Sequence, residues 1–270
     1  MQRYFISPED IQGQQVRISG DDVKHITRVM RFEPGDLIIC AAGNEVSYRV
    51  QLTDFAADAV FGEIVETLQE QSEPEVKITL VQGLPKSDKM DLIVQKGTEA
   101  GVSDFVPVET IRTIVNYDAK KEHKRRDRWQ RIAKEAAEQA HRLIIPEIAE
   151  VTTLKEWLLQ KSDSYDLVLL AYEGQPLSDR ERQLDGESGL GDKPQILACD
   201  SLRAVLNGFP QARSIALLIG PEGGFDPQEV LLATQQGARP VTLGPRILRT
   251  ETAGLVAAAI ILYHYGQMGG

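Results

Sequence analysis

Residues 215–225 read Ile215-Ala216-Leu217-Leu218-Ile219-Gly220-Pro221-Glu222-Gly223-Gly224-Phe225, an unbroken apolar run that ends in a glycine-rich turn. Such a run, bounded by Gly and Pro, predicts a strand buried on both faces and therefore a parallel sheet. A helix is expected directly after it, over Pro227–Gln236. Glycines at the C-terminal end of a strand let a ligand approach the backbone, and open α/β sheets bind ligands at such ends. A tight strand-to-helix connection uses the same residue types, so the turn alone leaves both readings open.

The next segment sharpens the choice. Val241-Thr242-Leu243-Gly244-Pro245-Arg246-Ile247-Leu248-Arg249-Thr250-Glu251-Thr252-Ala253 closes a strand, turns, and enters an apolar helix over Glu251–Tyr265. Thr250 before Glu251 is ordinary capping chemistry. Ile247-Leu248, set in a short loop between charged residues, is not, and an apolar pocket lined by loop backbone, such as an adenine needs, accounts for it.

Working outward from these segments, strands alternate with helices from Val76 onward. We expect strands over Lys77–Gln82, Phe105–Val108, Leu167–Ala171, Gln195–Cys199 and Pro240–Leu243. Helices are expected over Lys89–Ala100, within Lys124–Ala140, and over Leu154–Gln160. That alternation predicts an α/β fold with a largely parallel sheet. Glu173–Pro194 has few apolar residues and reads as a loop or insertion. Residues 1–72 are β-rich, with runs at Leu37–Ala42, Val46–Leu52 and Phe61–Val65, a hairpin at Gly43-Asn44, and one helix from Asp21-Asp22 to Met30-Arg31. Short strands at this spacing suit a small barrel. The polar stretch Leu68–Glu75 separates the two patterns, so domains are expected at 1–72 and 73–270.

Composition removes other classes. The 270 residues are 42% hydrophobic and 26% charged, which is globular rather than disordered composition. Cys40 and Cys199 form no disulfide framework and are expected to be buried thiols. The four histidines, at 25, 123, 141 and 264, show no metal-ligand spacing, so no metal is expected. No apolar leader opens the chain, and Ala253–Tyr263 falls short of the roughly 20 residues of a membrane helix. A soluble, cytoplasmic protein without a membrane partner is expected. The phosphate-loop, dinucleotide, zinc-protease and nucleophile-elbow signatures are all missing.

The formal net charge of -10 argues against coating nucleic acid by bulk charge. Its distribution argues otherwise. Residues 112–142 hold ten Lys or Arg against five acids, and Lys24, Arg28 and Arg31 recur at helical spacing. Basic stripes on an acidic chain suit phosphate contacts that position an RNA, although a solvated helix face has the same composition.

Together Gly220–Phe225 and Leu243–Ala253 resemble the SPOUT class of S-adenosylmethionine-dependent RNA methyltransferases. Within that class they resemble the RsmE family, which methylates N3 of a uridine in small-subunit (16S) ribosomal RNA. Leu84-Pro85-Lys86-Ser87-Asp88-Lys89, Gln95–Gly101 and Ala136–Arg142 are also similar to that family. The resemblance implies a SPOUT-type, trefoil-knotted α/β domain preceded by a PUA-like, RNA-binding β-barrel, and a homodimer packed partly through the last helix. It implies that S-adenosyl-L-methionine is held by Leu170, Ala171, Gly220, Pro221, Glu222, Gly223, Leu243, Gly244, Ile247, Leu248 and Thr250.

Loss of the uridine N3 proton calls for a carboxylate or a guanidinium. Arg142 is expected to stabilise the anion, with Glu138, one turn earlier on the same helix face, orienting it or acting as base. Arg249 and Glu251 are second candidates. Lys24, Arg28, Arg31, Lys86, Arg125 and Arg126 are expected to meet RNA on 16S ribosomal RNA or the small subunit. A ribose 2′-O-methyltransferase of the same fold and a non-catalytic ribosome-assembly factor are the alternatives.

Overall fold

The computed structural model describes residues 1–43, 46–115, 119–172 and 199–269. The expected strand over Gln195–Cys199, apart from Cys199 itself, and the Glu173–Pro194 segment lie outside them. The chain divides into two compact units, Met1–Glu73 with Ala133–Ile145, and Pro74–Ile132 with Pro146–Gly270. Division by composition at 72/73 differs by one residue at the boundary, which falls after Glu73, and in residues 133–145, which belong with the first unit.

The first unit is a six-stranded sheet in the order β1-β4-β5-β6-β3-β2. Its strands are β1 (Arg3–Phe5), β2 (Ile11–Gln12), β3 (Gln15–Ser19), β4 (Leu37–Ala41), β5 (Ser47–Phe55) and β6 (Ala59–Leu68). β4 and β5 pair antiparallel, as the hairpin reading expects, although Asn44 itself is not described. Alternation in β3, with Val16 and Ile18 inward, places its apolar residues in one core with Tyr4, Ile38, Cys40, Val50, Leu52 and Val60. Both cysteines are buried thiols, and burial pushes the Cys40 thiol up to about 12.

The helix expected from Asp21 to Arg31 is corrected. Only α1 (Asp21–Lys24) is α-helical, and His25–Met30 form a π-helical turn that ends at Arg31 with φ 55°. The cap is Gly20, with Asp21 and Asp22 in the first turn. Lys24, Arg28 and Arg31 are all exposed, but a π turn winds more widely than an α-helix. The single i, i+4, i+7 face therefore does not form.

The second unit carries the sheet that the apolar runs predict. β7 (Lys77–Gly83), β8 (Asp104–Glu109), β9 (Glu147–Ile148), β10 (Thr152–Thr153), β11 (Leu167–Ala171), β12 (Asp200–Ser201), β13 (Ser214–Ile219) and β14 (Arg239–Thr242) pair in the order β10-β8-β7-β13-β11-β14-β12, with β9 beside β8. All of these pairings are parallel. Val81, Val168, Leu170, Ala216 and Leu218 join Trp157 and Phe225 in its core. The helices are α2 (Lys89–Glu99), α4 (Leu154–Lys161), α5 (Leu202–Gly208), α6 (Pro227–Gln235) and α7 (Thr250–His264). α7 lies close to β7, because Gly254 leaves only 3.2 Å between an added Cβ and Leu80. Among the described residues no helix is long and apolar enough to cross a membrane.

α3 (Ala119–Gln139) begins in the second unit and ends in the first. Its C-terminus is a Schellman turn: His141 N–H donates to Glu138 O at 3.3 Å and Arg142 N–H to Ala137 O at 2.9 Å. The left-handed position, φ 57°, is held by exposed His141 rather than glycine. A left-handed non-glycine residue costs about 1–2 kcal/mol, and glycine's extra freedom in the unfolded chain offsets part of any gain. His141→Gly is therefore expected to stabilise the protein by about 0.5–1 kcal/mol, read as a higher urea midpoint at unchanged slope.

Candidate active site

β13, β11 and β14 are parallel neighbours, so their C-terminal ends lie side by side along one edge of the sheet. Leu170 pairs with Leu218 and Pro240, and Ala171 with Val241. The loops that leave this edge contain Gly220–Gly223 and Leu243–Thr250. Eleven residues expected around one ligand are thus brought together in the second unit.

The backbone there is close-packed. A Cβ on Gly220 would sit 2.9 Å from the Gly224 carbonyl carbon, and one on Gly83 would sit 2.6 Å from Pro221 Cδ. Gly224 N–H donates to Pro221 O at 2.9 Å, which closes the turn. A buried hydroxyl joins three segments. Thr250 Oγ1 donates to Gly220 O at 2.7 Å and accepts from Gln82 Nε2 at 2.9 Å, while the same amide donates to Gly83 O. Gln82 is fully buried, and its Oε1 has no hydrogen-bond partner among the described residues. Beyond the network, Gly244 has φ 110°, Leu248 is half-buried, and Ile247 is 79% exposed.

An ammonium group links the two loops. Lys89 Nζ lies 2.9 Å from a Glu222 carboxylate oxygen and 3.3 Å from Glu251. Glu222 also accepts from Lys86 N–H at 3.1 Å. The hydrogen bond to Glu222 raises the Lys89 pKa, burial opposes it, and Glu251 adds to the rise. Burial acts against the charge on Glu222 too, but Lys89 and backbone N–H groups outweigh it and lower its pKa. Sequence reasoning missed Gln82 and this bridge. The only signal for Gln82 was a polar residue at the end of an apolar strand.

The four residues proposed for chemistry fall in two units. Arg249 is the exposed N-cap position of α7 and Glu251 is in its first turn, both beside the loops. Arg142 and Glu138 lie in the first unit. They do not share a helix face, because α3 ends at Gln139 and the chain reverses through His141. Arg142 is 4% exposed, pairs with Glu73 at 2.6 Å, and its carbonyl accepts from Arg3. Glu138 lies 3.5 Å from Lys134, which bonds Asp22 at 2.7 Å. Burial pushes the Glu138 carboxyl up to about 7, with Lys134 opposing the rise and Asp22 adding to it.

The basic run at 112–142 is largely neutralised. At least six of its ten cations hold carboxylates from outside the run: Arg112 with Asp226, Arg125 with Asp88, Arg126 with Glu150, Arg128 with Asp91, Lys134 with Asp22 and Arg142 with Glu73. Lys24 pairs loosely with Asp21, and Lys86 is exposed. Exposed pairs such as Arg126–Glu150 contribute only about 0–1 kcal/mol, so a phosphate can replace the carboxylate at small cost.

Residues 72–262 match the RNA methyltransferase domain family, and residues 18–65 match the RNA methyltransferase PUA domain. The chain is 37% identical to the ribosomal RNA small subunit methyltransferase E of Bacillus subtilis over 97% of this chain and 96% of that one. It is 32% identical to the protein of the same name from Synechocystis, over 96% of this chain and 76% of that one. This chain belongs to the RsmE family of RNA methyltransferases. A solved RsmE from Neisseria gonorrhoeae, bound to S-adenosyl methionine, superposes with a TM-score of 0.75 at 30% identity, covering 97% of both chains. The RsmE family thus carries the SPOUT architecture of the second unit and the PUA domain of the first.

In this RsmE chain, Thr250→Val keeps the shape of the side chain but removes the partner of the Gly220 carbonyl and of one Gln82 amide N–H, the other still bonding Gly83 O. Each buried group left unpaired costs about 1–3 kcal/mol. A loss of about 2–4 kcal/mol is expected in chemical denaturation, whereas Thr250→Ser retains the hydroxyl and most of the stability.

Proposed function

We propose that this chain transfers the methyl group of S-adenosylmethionine to N3 of a uridine in 16S ribosomal RNA, in the cytoplasm. The observation that carries the reading is the end of β11 lying beside the ends of β13 and β14, with the loops after β13 and β14 joined through the Gln82–Thr250–Gly220 chain. The residues fit the cofactor: tightly packed backbone at Gly220, a buried Gln82 oxygen without a hydrogen-bond partner among the described residues, and the apolar pair Ile247-Leu248 in the loop after β14. Backbone of Gly220–Gly223 and Leu243–Thr250 would hold it, with Leu170-Ala171 flanking. When bound, it supplies an electrophilic methyl group on a sulfonium, so the protein's task is alignment of donor and acceptor.

The acceptor N3–H must lose its proton as the N–C bond forms, which leaves negative charge on the ring carbonyls. Arg249, exposed beside the loops, stabilises that charge; Arg142 is committed to Glu73 and holds the first unit in shape. A carboxylate takes the proton. Glu251 stands beside the loops, and Glu138 has a proton affinity matched to neutral pH. The PUA domain and the exposed Lys24, Arg28, Arg31 and Lys86, with Arg125 and Arg126 exchanging carboxylate for phosphate, dock the RNA. The domains at 1–72 and 73–270 then serve RNA binding and catalysis respectively. A trefoil knot belongs to the same reading, supported by β14 lying on the far side of β11 from β13.

Mass spectrometry of 16S RNA from cells with and without the protein tests the activity: a uridine methylated at N3 is expected to vanish on deletion, and a lost ribose methyl would overturn the reading. Arg249→Ala is expected to lower kcat by on the order of 10²–10³ at unchanged thermal midpoint. Of Glu251→Gln and Glu138→Gln, only the variant lacking the base should lose a comparable factor.

A homodimer is supported by α7. Its inner face is buried, yet Leu255, Val256, Ala259, Ile260 and Tyr263 form an apolar outer stripe, with Tyr263 70% exposed. Sedimentation is expected to give a dimer for the native chain and a folded monomer for Ile260→Glu.

A further inference from the structure

Thr110–Val115 leave β8 along the same sheet edge as the Gly220–Gly224 turn, since β8, β7 and β13 are parallel. The segment opens with a tight turn, in which Thr110 N–H donates to Thr113 Oγ1 at 2.9 Å and Thr113 N–H to Thr110 O at 3.0 Å. Ile111 N–H donates at 2.8 Å to Glu229, a buried carboxylate that also closes the capping box of α6. The backbone that carries Arg112 is thus tied to α6.

From there the Arg112 side chain lies across the glycine turn. Its stem is 3.3 Å from where a Gly223 Cβ would sit, Nη1 donates to Gly223 O at 2.8 Å, and Nη2 lies 3.5 Å from the Asp226 carboxylate. The Gly223–Gly224 peptide is therefore held at both ends, its carbonyl by Arg112 and its N–H by Pro221 O. Two adjacent glycines, one at φ 65°, have wide conformational freedom of their own. A partly exposed ion pair adds little to stability, but fixing a peptide that a ligand must meet reduces the ordering cost of binding.

We propose that Arg112 is a positioning residue for the methyl donor, holding the Gly220–Gly224 turn in its binding conformation; this rests on the assignment of that turn to S-adenosylmethionine. Calorimetry and steady-state kinetics with S-adenosylmethionine and 16S RNA test it on Arg112→Ala, Arg112→Lys and, as a reference, Ile247→Asp at an exposed donor-loop position. Arg112→Ala is expected to raise the donor Kd and KM about tenfold, with kcat at saturation within about twofold and the thermal midpoint unchanged. Arg112→Lys should recover part of the affinity, because an ammonium lacks the guanidinium's two-pronged reach. Unchanged donor affinity in Arg112→Ala beside a loss in Ile247→Asp would overturn the role of Arg112 and leave the donor site standing. Unchanged affinity in both would overturn both.

Discussion

The hydroxyl of Thr250 is the point on which the second unit turns. It accepts from Gln82, 168 residues away in sequence, and donates to the Gly220 carbonyl, 30 residues away. All three groups are shielded from water, where a hydrogen bond is stronger than in solvent and an unmade one costs more. The end of β7, the end of β13 and the start of α7 are thereby fixed in one arrangement. The glycine turn after β13 is thereby anchored at its first residue, while its Gly223–Gly224 peptide is held by Arg112 and Pro221, and Gly254 lets α7 approach Leu80 of β7. The close approach at Gly83 and Pro221 follows from the same constraint.

Charge is arranged with similar economy. A chain of net -10 spends several carboxylates on cations of one helix and its flanks, so that Asp88, Asp91 and Glu150 neutralise arginines of α3 in the second unit. In the first unit Asp22 and Glu73 do the same for Lys134 and Arg142. The pairs differ in kind. Arg142–Glu73 is buried and structural, whereas Arg126–Glu150 is open to solvent, screened by salt, and able to exchange partners. A count of basic residues does not distinguish the two; burial does.

Legibility followed the length and continuity of each signal. β13, β11 and β7 could be read because long apolar runs have few other uses, and the Ile247-Leu248 pair was conspicuous because it defied its polar surroundings. β9, β10 and β12 are two residues each and carry no period. β1 was hidden by Arg3, a buried cation whose partner Glu70 lies 67 residues away. The π turn after α1 was invisible because its residues satisfy helical spacing equally well, and the turn that takes Arg142 off the α3 face was hidden because His141 occupies a position that glycine usually marks.

Sequence by itself determined the α/β class, the separate β-rich segment, the identity of the two glycine-rich loops and the family to which they belong. The first two rest on local periodicity and composition, and the last two on the motifs Gly220–Phe225 and Leu243–Ala253 and their resemblance to that family. Tertiary structure alone decided that Gln82 serves the loop edge, that Lys89 bridges Glu222 and Glu251, that residues 133–145 pack with the first unit, and which cations are already neutralised. Each of these is a contact between residues distant in the chain, and its energy depends on separation and burial, neither of which exists until the chain has folded.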